Sequence, residues 1–198
     1  MGRDRARVPT HRRRRDPLMF GPRLEGRGGV SLVPPTLEHF KLQIPWVLQP
    51  EVGRFFGPRF GEMTEERQEE RFKKTAADET QIMWTIAYQD EPVGWTGIFD
   101  IDWVRRDGES GILIGRYDLF GRGIASEAVR LRTDFAWREM RLHRVHNWIA
   151  LANRGSRRAN EKSGYKQMGL LPKSVFRSGE WYDEWLGEAY PHTFPDQH

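Results

Sequence analysis

The sequence predicts one α/β (α+β) domain with a mixed, mostly antiparallel central sheet flanked by helices. Three observations carry this. Strand-like and helix-like stretches interleave along the chain. The three central strand-like runs are separated by short turn compositions suited to hairpins. A chain of 198 residues that is 37% hydrophobic is also long enough for one ordinary core.

Taken in order, residues 1–18 have almost no apolar content and are expected to be disordered or loosely attached. Met19-Phe20-Gly21-Pro22 reads like the start of a domain. The chain thus divides into an Arg-rich tail, 1–18, and a domain, 19–198. Met19 is expected to be the physiological start, with the tail as upstream read-through; the intact mass of protein from its own cell checks this. After Gly28-Gly29, Val30 to Val33 reads as a short strand ended by Pro34-Pro35. Thr36 is a plausible N-cap for a helix through Phe40 and Leu42, limited by Pro45 and Pro50. Thr64, followed by Glu65 and Glu66, opens a second helix reaching about Asp78, polar enough to require the surface.

Three strand-like runs follow: Ile82 to Tyr88, Val93 to Trp103 and Gly111 to Ile114, with Asp90-Glu91-Pro92 and Arg106-Asp107-Gly108 as the intervening turns. Ile124, Ala128, Leu131 and Phe135 recur at helical spacing, and the helix should reach Met140. Val145, Asn147, Ile149 and Leu151 alternate as a strand over His143 to Leu151. Residues 156–163 favour a short helix closed by Gly164, and a last strand region spans about Glu180 to Ala189.

Composition narrows the function. The sequence contains no cysteine, which excludes disulfides, thiolate metal sites and a cysteine nucleophile, and suits a reducing cytoplasm. No apolar run approaches the roughly 18 residues that span a membrane, and the Arg-rich start lacks the apolar stretch of a signal peptide. The basic pI of 9.6 belongs to the tail. Residues 1–18 hold seven Arg against Asp4 and Asp16, a net +5, so the remaining chain carries −1 of the overall +4.

The segment that carries chemistry is Phe120-Gly121-Arg122-Gly123-Ile124-Ala125-Ser126-Glu127, which follows a strand and opens a helix. Glycines there let the backbone turn sharply and aim several N–H groups at one spot, while the helix dipole favours an anion. This describes a pyrophosphate cradle, and its spacing fits neither a dinucleotide fingerprint nor a P-loop. A Gly-rich turn without a ligand is the alternative on this segment alone.

Three further segments accompany it. Asn153-Arg154-Gly155-Ser156 continues to Asn160-Glu161-Lys162-Ser163-Gly164-Tyr165 as N-x-x-S-x-x-x-x-E-K-x-G-Y. Upstream stands Leu48-Gln49-Pro50-Glu51-Val52-Gly53-Arg54-Phe55-Phe56-Gly57, and near the end Gly179-Glu180-Trp181-Tyr182-Asp183-Glu184. With F-G-R-G-I-A-S-E-A, these four in this order resemble the GNAT superfamily of N-acetyltransferases, in particular its RimJ/RimL-like branch of ribosomal-protein N-terminal acetyltransferases, over roughly residues 28–190. Two positions depart from the pattern: Phe120 replaces the usual Gln, Arg or Trp, and Asn160 stands where many members carry a tyrosine.

The resemblance implies a GNAT-like fold whose sheet splays open around acetyl-coenzyme A, used as cosubstrate, with no metal. It implies that Ile112, Leu113 and Ile114 pair with pantetheine, one of their N–H groups polarising the thioester carbonyl. The N–H groups of Gly121, Arg122, Gly123, Ile124, Ala125 and Ser126 would hold the pyrophosphate, with Asn153 and Ser156 contacting the pantetheine arm. Arg122 and Lys162 are candidates for neutralising phosphate charge.

Without cysteine, direct attack by a bound amine in a ternary complex is the natural chemistry, needing a base and an acid. Glu109 is the candidate base, with a surface turn carboxylate as the alternative reading; Asp100, Asp102 and Asp183 are alternatives for the role. Ser156 is the candidate acid, or a hydroxyl capping a short helix. His143 and His146 have too few partners for a metal site. The acceptor is a protein N-terminus, an aminoglycoside-like antibiotic or another small amine, with Trp46, Trp84, Trp95, Trp103, Trp181 and Trp185 as candidate pocket or core residues. The expected protein is cytoplasmic, makes no membrane contact and is a monomer or homodimer. Two readings compete: a coenzyme A-binding fold without catalysis, and salt-sensitive nucleic-acid contact through residues 1–18.

Overall fold

The computed structural model describes residues 20–56, 63–177 and 179–193; the Arg-rich tail and Met19 lie outside them. Eight strands form one sheet: β1 (Leu24–Glu25), β2 (Val30–Val33), β3 (Ile82–Tyr88), β4 (Glu91–Asp102), β5 (Asp107–Ile114), β6 (Arg144–Ala150), β7 (Lys166–Arg177) and β8 (Glu180–Ala189). Their order is β1-β2-β3-β4-β5-β6-β8-β7. Neighbouring strands are antiparallel except β5 and β6, which run parallel.

The helices are α1 (Leu37–Lys41), α2 (Gln43–Val47), α3 (Pro50–Gly53), α4 (Glu65–Ala77), α5 (Ile124–Arg138) and α6 (Arg154–Lys162). They cover both faces of the sheet, which is why β3 is buried on both faces from Ile82 to Ala87 and nearly all apolar, with Thr85 as the exception. On one face, Trp84, Ile98, Val145 and Trp185 pack with Ile124, Ala128 and Phe135 of α5. On the other, Met83, Trp95 and Leu113 pack with Phe40, Trp46 and Val52 from the first helices. The phase of each strand thus decides which core a residue joins. No helix among the described residues is long and apolar enough to cross a membrane.

Caps follow the sequence closely. Thr36 accepts from the His39 N–H, and His39 returns a bond to the Thr36 N–H, a capping box closed by histidine. Thr64 caps α4 through the Arg67 N–H, and Gly164 leaves α6 at φ +88°.

Several expectations are corrected. The segment after Thr36 is three short helices, and Pro45 lies inside α2, near enough to its start for the missing N–H to go unneeded. The turn after β3 is Gln89-Asp90, both at positive φ, so Glu91 and Pro92 already belong to β4. Likewise Asp107 and Gly108 are buried strand residues, and β5 starts four residues before the expected Gly111. β7 was not anticipated: it is an edge strand exposed along most of its length, with register shifts at Gln167/Gly169 and Leu171/Val175. A strand covered on neither face shows no hydrophobic alternation. His143 precedes β6, its ring edge-on to Tyr190 at 5.6 Å.

Candidate active site

The site grows from the parallel pair. β5 and β6 match over Asp107↔Arg144, Gly108↔Val145 and Glu109↔His146 and then separate. Beyond that rung, β6 pairs with β8 and β5 with β4. Arg144 sits on the first of these rungs, two residues before the strands part. Its guanidinium bonds Asp107 on β5 at 2.7 Å and Glu188 on β8 at 2.9 Å, so one partly buried cation fastens three strands just before two of them part.

A cleft of about 630 Å³ opens in the gap. Ile112, Leu113 and Ile114 line one side, and Asn153, Ser156 and Lys162 the other. Gly121, Gly123, Ile124, Ala125 and Ser126 close its end, and Val52, Phe55 and Phe56 cover it. The strand segment, the glycine loop and α6 expected to share a ligand therefore do share one cavity. Arg122 is exposed and its side chain is not part of the lining.

The phase of β5 fixes what its backbone offers. The Gly115 N–H donates to the Val93 carbonyl at 2.7 Å. Counting back in twos, the N–H groups of residues 113, 111 and 109 face β4, and those of Ile114, Ile112 and Ser110 face away from it. Past Glu109 no strand among the described residues pairs with β5 on that side, so the Ile112 and Ile114 N–H groups open on the cleft.

At the cleft end, Gly121 and Gly123 have φ of +80° and +83°. A Cβ at either would meet nothing within 4 Å. Left-handed backbone, rather than crowding, is therefore what calls for glycine there. Gly123 is the N-cap of α5 and supplies no side-chain acceptor. The first bond back into the helix runs from the Glu127 N–H to the Gly123 carbonyl, which leaves the Ile124, Ala125 and Ser126 N–H groups directed outward. Glu127, an acid in that first turn, is drawn aside by Arg130 and by the Arg27 N–H at 2.8 Å. That arrangement suits an anion of pyrophosphate size.

On α6 the cap is Asn153, whose side-chain oxygen accepts from the Ser156 N–H at 3.2 Å. Ser156 is thus the third residue of the helix and not its cap. Its hydroxyl is free of that duty and half-buried in the cleft wall. Asn160 is 1% exposed and engaged elsewhere, accepting from Asn147 at 2.6 Å and donating to the Ser156 carbonyl at 2.9 Å.

Glu109 is a strand residue on the last paired rung, not a turn carboxylate, and lies just outside the cleft lining. Burial pushes its carboxyl above the ordinary range, and the nearby negative charges of Asp100 and Glu184 push the same way. Asp102 instead caps the β4–β5 turn; the N–H groups of Arg105 and Val104 bond it and hold its carboxyl low. Asp183 accepts from the Lys173 N–H and borders a second cavity, with Trp181, Tyr182 and arginines of α6. Of the six tryptophans, Trp84 and Trp185 are fully buried, Trp46 and Trp95 nearly so, and Trp103 and Trp181 exposed; none lines the cleft.

Sequence reasoning missed a buried polar cluster behind the cleft. Arg132 of α5 is 0% exposed and bonds Thr96, the Gly111 carbonyl and Tyr165. The Tyr165 hydroxyl also meets Ser110 and Thr133. The signal was available, since Arg132 lies four residues after Ala128 and four before Ala136, on the buried stripe.

Comparison with known proteins agrees with this geometry. A family profile described as acetyltransferase (GNAT) domain matches residues 30–166. A relative named "Probable N-acetyltransferase YjcK" from Bacillus subtilis (strain 168) is 43% identical over 63 residues, 32% of this chain. The match spans about a third of that relative, 35% of its length. Among solved structures, Mycobacterium smegmatis RimJ in complex with CoA-disulfide superposes with a TM-score of 0.76 at 20% identity, covering 88% of each chain. Spermidine N-acetyltransferase from Vibrio cholerae, in complex with CoA and spermine, gives 0.76 at 17% identity, covering 83% of this chain and 97% of that one.

Proposed function

This chain belongs to the GNAT acetyltransferase family and is an acyltransferase, and we propose that it moves acetyl from acetyl-coenzyme A directly to a primary amine in a ternary complex. The observation that carries the proposal is the single cleft in which the unpaired edge of β5, the N-terminus of α5 and the start of α6 converge.

Each part has a task. The outward N–H groups at the start of α5 receive the pyrophosphate. The free edge of β5 receives pantetheine as an added strand, and Asn153 and Ser156 face it from α6. A β5 N–H group meets the thioester carbonyl oxygen, where negative charge develops as the amine attacks. Glu109 takes the proton from the incoming ammonium; its carboxyl, pushed up by burial, is better matched to that transfer near neutral pH than an ordinary carboxylate. Ser156 delivers a proton to the departing thiolate. Lys162, at the rim, faces the coenzyme phosphates.

The acceptor is a protein N-terminus or a small-molecule amine. Asp100, Glu109 and Glu184 give the acceptor side a negative field that favours a cation. Phe55 beside the cleft meets Tyr182 edge-on at 5.8 Å, narrowing the approach between α3 and β8. The F-G-R-G-I-A-S-E-A loop supports placement in the RimJ/RimL-like branch.

The test is incubation with acetyl-coenzyme A and a panel of peptides with free N-termini, polyamines and aminoglycosides. Thiol release should accompany the gain of one acetyl group by one class of amine. Binding of acetyl-coenzyme A with no transfer to any amine would favour a coenzyme-binding protein without catalysis.

A further inference from the structure

A cation stands directly behind the cleft wall, and no anion among the described residues pairs with it. The Arg132 guanidinium is fully buried and, among the described residues, forms no ion pair. Its bonds go to neutral oxygens: 2.7 Å to the Thr96 hydroxyl, 2.8 Å to the Gly111 carbonyl and 3.3 Å to the Tyr165 hydroxyl. Its Nε has no hydrogen-bond partner among the described residues. Burying a charge without its opposite is strongly unfavourable, and an apolar side chain of similar volume would fill the slot without that penalty. The placement calls for a use.

The carbonyl it grips supplies one. Thr96, while accepting from Arg132, donates to the same Gly111 oxygen at 2.8 Å. The other end of that peptide unit is the Ile112 N–H, which opens on the cleft. Amide resonance links the two ends: drawing electron density toward the carbonyl oxygen makes the N–H a stronger donor.

We propose that Arg132 is a positioning residue that polarises the Gly111–Ile112 peptide, so that the Ile112 N–H binds the thioester carbonyl oxygen of acetyl-coenzyme A and stabilises the negative charge developing there. In the step it assists, the amine nitrogen bonds to the carbonyl carbon and the carbonyl π pair moves to oxygen. That pair then returns as the carbon–sulfur bond breaks. The proton lost by the amine and the proton gained by the thiolate balance. Arg132 touches none of these atoms and acts through one peptide group in a low-dielectric wall, where a fixed cation acts most strongly.

The inference rests on the acetyltransferase reading, and its test separates the two. Acetyl-coenzyme A labelled with carbon-13 at the thioester carbonyl is bound to the full-length protein, and the carbonyl stretch is read by isotope-edited infrared spectroscopy. Wild type should lower the stretching frequency relative to free acetyl-coenzyme A. Arg132→Met should lose most of that shift, Arg132→Lys should keep it, and calorimetric affinity should change less than twofold in both. The melting temperature of Arg132→Met should equal or exceed that of wild type, opposite to what a merely structural arginine would give. Arg132→Gln, neutral yet polar, carries the same comparison if the Met variant does not fold. An unchanged band in a folded, ligand-bound neutral variant overturns the proposal and leaves the acetyltransferase reading intact. Failure of wild type to bind acetyl-coenzyme A overturns both.

Discussion

Replacing Arg144 with methionine should cost about 3 kcal/mol of folding stability, and the structure sets that figure. Arg144 contacts Asp107 and Glu188, whose side chains are 12% and 9% exposed. Breaking a buried pair by removing one partner typically costs about 3–5 kcal/mol, because a buried charge is left behind. Two observations place this case at the lower end. Arg144 itself keeps 27% of its side chain exposed. Each carboxylate also retains a second contact, Glu188 from Tyr190 at 2.6 Å and Asp107 from Arg105 at 3.4 Å. For a chain of this size the loss corresponds to roughly 6–12 °C in melting temperature. Urea titration of Arg144→Met is the assay, with Arg138→Met as reference, since Arg138 pairs with Asp134 on the surface and should lose under about 1 kcal/mol. Neutralising all three, with Arg144→Met, Asp107→Asn and Glu188→Gln together, should recover most of the loss. If Arg144→Met falls within the range of the surface pair, the clamp on the first β5–β6 rung is refuted.

Three further substitutions test the loop and the base, one of them as a control. Gly123→Ala places a Cβ at φ +83° with nothing to collide with, so the expected loss is the left-handed backbone cost alone, about 1 kcal/mol by denaturant titration, together with weaker acetyl-coenzyme A binding by calorimetry. Gly155→Ala, inside α6 with only a 3.9 Å contact, should be neutral or stabilising. Glu109→Gln should cut acetyl transfer by about 10²-fold or more and remove the rise of rate with pH that tracks ionisation of this carboxyl. Because the folded protein raises that ionisation above its unfolded value, the stabilisation of the protonated form is complete below the unfolded range and is lost as pH rises through the folded one. Glu109→Gln should therefore melt higher than wild type at neutral pH and alike near pH 3; equal melting at both would contradict the raised carboxyl.

Much of this was legible in the chain. Thr36 and Thr64 announce caps by residue type, Ile82 to Ala87 form an all-buried run, and Ile124, Ala128 and Phe135 keep helical phase. The glycine loop could be read because positive φ leaves few alternatives to glycine. What escaped depends on distant partners. β7 is exposed and irregular, so it lacks the alternation that marks a strand covered on one face. Asp107 and Gly108 look like a turn until Arg144, 37 residues later, buries the aspartate in a strand. Ser156 as a cap was a fair guess from its hydroxyl, yet Asn153 begins the helix two residues earlier than expected. Arg132 was hidden by a habit of reading charge as surface, although its helical phase places it inward.

The central claim is a coenzyme site at the β5–β6 divergence, and calorimetric titration of the full-length protein with acetyl-coenzyme A tests it most directly. Saturable one-to-one binding, abolished by Gly123→Trp at the start of α5 and retained by Gly155→Ala, is the expected result. Absence of binding by the wild-type protein, or equal binding by Gly123→Trp, would contradict the account.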